Sequence, residues 1–265
     1  MTLVRYDAVR FEGVMPEGRT HPLLLACRLA GQSGTSMTKV VKALGSPEVS
    51  ATRSLVCEVA GNAVAKRMGL ITPEPCIVDI FAAAAEAINA SLASTDYTFT
   101  IKPGPAAGCA LLNMSPYTVG QALSPELQTQ AVRLYVFDLL TQNMDRRSDK
   151  VNCGLSKLGL VAFDFETCFQ HLFLPIVGGL EGRHWEPSKS VPMKSHLFYG
   201  VAKEAPPLEA DVRNAASKLA GTWWTQFVGS LPAEWQPEAA KIGEVLSAIA
   251  EHAEEYSKDV TRSLI

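Results

Sequence analysis

The sequence predicts an α+β fold of two unequal lobes, the first rich in strands and the second mostly helical. Three observations carry this reading. Apolar and alternating runs bounded by turn residues fill the first third of the chain. A cluster of three prolines and two glycines interrupts it between Lys102 and Tyr117. Beyond that cluster, apolar residues recur at the three- and four-residue spacing of helices. The lobe boundary falls near residue 114, giving lobes of 1–113 and 114–265.

Within the first lobe, His21 to Ala30 is an apolar run without Gly or Pro and reads as a strand. Lys39 to Leu44 reads as a second strand, joined to the first by the polar loop Gly31 to Thr38 in an antiparallel hairpin. Leu55, Val56, Val59, Ala60, Ala63 and Val64 set a helix over Thr52 to Met68, closed by Gly69. A short strand over Cys76 to Ile80, a helix over Ala82 to Leu92 and an alternating strand over Tyr97 to Lys102 follow, with a further strand core at Cys109 to Asn113. The second lobe opens at Ser124-Pro125-Glu126, an N-cap, a first-turn proline and an early acid, on a helix running to about Thr141. Glu209 to Gly229 and Pro237 to Ile265 are helical in period.

Composition narrows the function classes. The chain has 265 residues, 47% hydrophobic and 19% charged, with a net charge of -3 and a pI of about 6.0. Nothing basic enough to track a nucleic-acid backbone is present, so nucleic acid is not an expected direct partner. No basic segment followed by an apolar run opens the sequence, and the alanine-rich stretch Ile80 to Ala93 is too short and polar to span a bilayer. Six scattered cysteines form no CxxC pair and read as reduced core thiols. These features predict a cytoplasmic protein without a membrane partner.

Chemistry concentrates between Phe137 and Phe169. A buried helix ends in the polar loop Asn143 to Asn152, and a strand pair then delivers Val161-Ala162-Phe163 to Asp164. Two carboxylates, Asp145 and Asp164, thus sit on neighbouring loops with an asparagine between them in sequence. Phosphoryl transfer needs this set: one carboxylate for the attacking hydroxyl, the other with an amide oxygen for magnesium. Each acid also has a plainer reading, Asp145 as a loop acid beside Arg146 and Arg147 and Asp164 as a turn former.

The run Asn143-Met144-Asp145-Arg146-Arg147-Ser148-Asp149-Lys150-Val151-Asn152 resembles the catalytic loop of HipA-like kinases, an N-x-D-R motif followed by asparagine. Phe163-Asp164-Phe165 is similar to the metal-binding motif of that family. The resemblance implies a bilobal protein-kinase-like fold using ATP and Mg2+, with Asp145 as catalytic base and Asp164 as metal ligand. It puts Lys42 in the place of the phosphate-contacting lysine and Glu58 in that of its ion-pair partner. Residues Leu70 to Pro75 and Leu231 to Trp235 resemble further family segments.

One position departs from the pattern. Relatives carry the metal-binding asparagine five residues after the catalytic aspartate, where this chain has Lys150. The reading adopted is that Asn152 supplies the amide oxygen and Lys150 turns outward toward Asp149. Gly31 and Gly34 make the hairpin loop either a phosphate cover, through close backbone N–H groups, or a flexible tip. Ser33, Thr35 and Ser36 in that loop are candidate autophosphorylation sites, since relatives regulate themselves there. His171, His184 and His196 have no ligand spacing and read as ordinary histidines, and Trp223 and Trp224 as core or interface aromatics.

The resemblance implies a serine/threonine protein kinase with a protein substrate, including the toxin of a toxin–antitoxin pair with a neutralising protein partner. A nucleotide-binding pseudokinase, favoured by Lys150, and a small-molecule kinase stay open as alternatives.

Overall fold

The computed structural model describes residues 1–16, 20–173, 183–189 and 193–264. Five strands close into a barrel: β1 (Val4–Val14), β2 (Leu23–Leu29), β3 (Met37–Lys42), β4 (Pro75–Ile80) and β5 (Gly104–Ala110), in the order β1-β2-β3-β5-β4. All pairs are antiparallel except β1 with β4, which closes the barrel in parallel. Closure needs curvature, and β1 obtains it from two register shifts, at Ala8/Arg10 and at Phe11/Gly13. Gly108 on β5 lets the wall tighten further, since a Cβ there would lie 2.7 Å from Val78 Cγ2.

Strand alternation sorts the two lysines of β3. Val41 points into the barrel with Leu23, Leu25 and Cys27, and Lys39 shares its face. Lys39 is buried with its ammonium 4.3 Å from the Tyr6 ring centre. Lys42 therefore faces the other way, out of the barrel and toward helix α1 (Thr52–Arg67).

Helix α1 is buried almost all round, because it lies between the barrel and the second lobe. Its Gly61 is pressed by Phe165 and Cys168, where an added Cβ would sit 2.7 Å from Phe165 Cβ and 3.0 Å from Cys168 Sγ. Helix α2 (Ala82–Leu92) plugs the barrel with Ile88 and Leu92. The strand expected over Tyr97 to Lys102 does not form. The Asn89 side chain instead takes both backbone groups of Ile101, donating to its carbonyl at 2.9 Å and accepting from its N–H at 2.8 Å. Tyr97 and Phe99 pack against His21 rather than lying in a sheet. The strand that does form, β5, begins two residues after Lys102 and ends at Ala110, short of the expected Asn113.

The chain leaves the barrel at Ala110 and enters β6 (Ser115–Pro116), which joins β7 (Cys153–Ser156) and β8 (Gly159–Ala162) in a three-stranded sheet. Helix α3 (Pro125–Thr141) starts as its sequence predicts, with Ser124 Oγ accepting from the Leu127 N–H. It ends at Gln142, whose φ of 53° turns the chain sharply into the loop that follows. The remaining helices are α4 (Tyr199–Glu204), α5 (Glu209–Ser217), α6 (Thr222–Gly229), α7 (Gln236–Glu251) and α8 (Ala253–Arg262). Both long helical stretches expected here are thus split, one at the left-handed Gly221 and the other at His252. Trp224 is core, its indole N–H donating to Ala239 O at 3.1 Å, and Trp235 is fully buried. Among the described residues no helix is long and apolar enough to cross a membrane.

The Gly61 contact carries a stability prediction. Gly61→Val forces a branched side chain into Phe165, and overpacking of this kind costs about 1–3 kcal/mol. A urea midpoint shifted down at unchanged slope is the expected result; an unchanged midpoint would mean that the two segments are not packed this closely.

Candidate active site

The site lies where β3, α1 and two loops of the second lobe meet. Lys42 Nζ is 2.7 Å from Glu58 Oε2, 2.5 Å from Asp164 Oδ1 and 3.1 Å from Glu166 Oε2. Glu58 also accepts from the Phe165 N–H at 3.0 Å, which ties α1 to the residue after Asp164. Gly61, one helical turn along, gives Phe165 the space for that approach. Asp164 is held in the left-handed region at φ 62°, so the chain turns abruptly as it leaves β8.

Three carboxylates around one lysine set the local ionisation. Burial pushes Lys42 down, but Asp164, Glu58 and Glu166 outweigh it and hold the ammonium well above its ordinary range. Burial likewise opposes the charge on Asp164, and Lys42 with Lys150 brings its carboxyl below the usual range. Glu166 is pushed up to about 6, chiefly by burial, with Lys42 opposing and Asp164 and Glu58 adding.

Beneath these groups lies a buried polar node that positions both loops. Asp138, on the last turn of α3, accepts from Arg146 Nε at 2.7 Å, from His196 Nε2 at 2.8 Å and from Asn143 Nδ2 at 2.8 Å. His196 Nδ1 accepts from the Phe198 N–H at 3.1 Å, so its proton sits on Nε2, facing Asp138. Arg146 is fully buried and its Nη1 donates to the carbonyls of Asn152 and of Phe163, the residue before Asp164. Asn143 Oδ1 accepts from the Asp145 N–H at 3.2 Å and from Thr167 Oγ1 at 2.5 Å. The N-x-D-R segment is thus a device for placement: Asn143 and Arg146 hold Asp145 and the Asp164 loop in one frame.

Asp145 emerges from this frame beside Lys150, which pairs with it and lies 3.6 Å from Asp164 Oδ2. The outward arrangement expected for Lys150 is therefore corrected. Arg147 makes a two-pronged pair with Asp149 at 2.9 Å on each oxygen, and takes the place expected of Lys150. Reciprocal backbone bonds between Arg147 and Lys150, at 3.0 and 3.1 Å, close the turn and aim Lys150 inward. Burial pushes Lys150 down, but its bond to Asp145 and the charge of Asp164 raise it overall. Asn152 lies next to the node at φ 45°; its carbonyl accepts from Arg146 and the Phe163 N–H, and its buried Nδ2 has no hydrogen-bond partner.

A second correction concerns the glycine loop. Strand register pairs Val41 with Leu23 and Leu23 with Val14, so Lys42 stands at the end of the barrel where β1 turns into β2. The loop with Gly31, Gly34, Ser33, Thr35 and Ser36 is at the opposite end, beyond the Cys27–Met37 pair. Lys42 is five residues on from Met37 along the strand, roughly 17 Å at 3.3 Å per residue. Gly31, Ser33, Gly34, Thr35 and Ser36 are exposed and are not brought to the site. Arg28 Nε instead ties the loop down through Gly34 O at 3.1 Å.

Two participants, Glu166 and Asp138, were not singled out from the sequence, and a third, His196, was read there as an ordinary histidine. Glu166 follows Asp164 by two residues, and only the spacing of a second acid after the motif could have signalled it. Asp138 is a lone acid within the apolar run Phe137-Asp138-Leu139-Leu140, which is a legible sign of a buried partner. Its partner His196 lies 58 residues away and gave no local signal.

Carboxylate oxygens of Glu58, Asp164 and Glu166 lie within 4.8 Å of one another, a hard-oxygen set that suits magnesium. Lys42 contacts all three, but Glu58 alone is also tied to a backbone group, accepting the Phe165 N–H, so Asp164 and Glu166 are the ligands freer to turn to a metal ion.

No family model matches the sequence, and comparison with curated proteins returns no relative. Among solved structures the chain is similar to a Helicobacter pylori proinflammatory kinase, CtkA, at 11% identity and a TM-score of 0.52. The likeness covers 97% of this chain and 98% of that one. The chain therefore shares the fold of that protein over nearly its whole length.

The buried node yields a prediction with a pH signature. Asp138→Asn leaves Arg146 without its counter-charge, a change that typically costs about 3–5 kcal/mol. Arg146 and His196 depress the folded-state pKa of Asp138 against its burial, so its contribution is full above the ordinary carboxylate value near 3.9 and fades as pH falls below it. Denaturation of wild type and variant should show a wide stability gap at pH 7 that narrows below about pH 4. A gap independent of pH would remove charge from the role of Asp138.

Proposed function

We propose that this chain is an ATP-dependent phosphotransferase of the HipA-like kind, transferring the γ-phosphoryl group to a serine or threonine hydroxyl of a protein. The observation that carries the reading is the convergence of Lys42, Glu58 and Asp164 with Asp145 on the adjoining loop. The kinase fold over nearly the whole chain supports it.

Each group has a distinct task. Lys42, steadied by Glu58, contacts the nucleotide phosphates. Asp164 and Glu166 would hold magnesium, which when bound supplies positive charge against the β- and γ-phosphates. Asp145 orients the acceptor hydroxyl and takes its proton as the oxygen bonds to the γ-phosphorus; the bond to the β-phosphate oxygen breaks and ADP leaves. The node of Asp138, Arg146 and Asn143 spares these groups reorganisation during the reaction. A cytoplasmic toxin-like kinase with a neutralising protein partner belongs to the same proposal.

One observation favours a second reading. Lys150 is paired with the proposed base, which would suit a nucleotide-binding pseudokinase that regulates a partner without phosphotransfer. Radiolabelled ATP separates the two. Wild type should label itself or a protein acceptor, and Asp145→Ala should lower the rate by ~10²–10⁴ while retaining nucleotide binding. Absence of transfer by wild type, with ATP still bound, would select the pseudokinase.

A further inference from the structure

Asp164 presents its two oxygens to two different cation positions. Oδ1 faces the cluster formed with Glu58 and Glu166, where Lys42 is the only described cation in contact. Oδ2 faces Lys150, which bridges across to Asp145. The two positions differ in charge. On the Oδ1 side, three carboxylates face one ammonium, a formal balance of −3 + 1 = −2. On the other side, Asp145 and Lys150 cancel.

A divalent ion is therefore matched on the first side and opposed on the second. Any cation bridging Asp145 and Asp164 would have to sit in contact with the Lys150 ammonium, in a cleft where all three side chains are less than one-fifth exposed. The reciprocal backbone bonds to Arg147 fix where the Lys150 side chain starts, and its contacts with Asp145 and Asp164 hold the ammonium between them.

We propose that the site takes a single divalent ion per nucleotide, on Asp164 and Glu166, and that the Lys150 ammonium permanently fills the place of a second. This rests on the kinase reading above and specifies its metal requirement. In this arrangement Lys150 is a built-in cation between the base and the metal-binding aspartate. Its charge is available to the transferred phosphate without recruitment of an ion from solution.

Metal stoichiometry tests this apart from turnover. Mn2+ would be titrated into the full-length protein with a non-hydrolysable ATP analogue, and bound ion counted by electron paramagnetic resonance. Wild type should saturate at one Mn2+ per nucleotide complex, and Lys150→Asn, which trades the charge for an amide oxygen, at two. Wild type saturating at two would overturn the inference and leave the kinase reading standing. A Lys150→Asn protein that melts like wild type and still stops at one would also overturn it, because Lys150 would not be what excludes the second ion. Wild type that binds no analogue with Mn2+ would overturn both.

Discussion

The fully buried pair of Arg146 and Asp138 is the interaction on which the geometry of the site depends. A guanidinium with no exposure is tolerated only where a carboxylate and several acceptors surround it, and here they belong to three separate segments. Asp138 lies on the last turn of α3, the Asn152 carbonyl closes the loop that carries Asp145, and the Phe163 carbonyl leads into Asp164. His196 adds a fourth segment from the helical half of the chain. Satisfying one buried charge therefore fixes the relative placement of Asp145 and Asp164, two groups that never touch directly and communicate through Lys150.

A second constraint acts from the barrel side. Lys42 can reach Glu58 and Asp164 together only because β3 alternation turns it out of the barrel and Gly61 lets the Phe165 segment lie against α1. Ion pair, glycine and backbone bond to Glu58 form one unit spanning both lobes. The carboxylates of the cleft are offset only in part by its own lysines, Lys42 among three carboxylates and Lys150 between two. Phosphate groups entering the cleft would compete for those ammonium groups, and a metal ion would compensate the carboxylates they release.

Much of this was legible in the sequence where the signal was local. Ser124-Pro125 marked the start of α3, the apolar spacing of Leu55 to Val64 marked α1, and the segment from Asp145 to Asp164 marked the candidate site. The structure also brings Lys42 to Glu58, a pairing that the family resemblance implied. What was not legible depended on partners distant in sequence. Whether Lys39 or Lys42 faces the site is a matter of strand parity within a closed barrel. The Gly31–Ser36 loop offered glycines for a phosphate cover, but strand β3 runs straight from it to Lys42 and so leaves the two at opposite ends of the barrel. Tyr97 to Lys102 alternates like a strand, but Asn89 from another element takes the hydrogen bonds of Ile101 that a ladder would need. Lys150 turned inward because a backbone turn and the Arg147–Asp149 pair left it facing Asp145, which side-chain chemistry alone does not dictate.

The claim that these side chains form a metal-dependent nucleotide site is tested most directly by calorimetry of ATP binding to the wild-type chain, with magnesium and with EDTA. Saturable binding in magnesium that weakens at least roughly tenfold in EDTA is predicted, since loss of the bridging cation sets the phosphates against Asp164 and Glu166. Equal affinity under both conditions, or no binding in either, would contradict it.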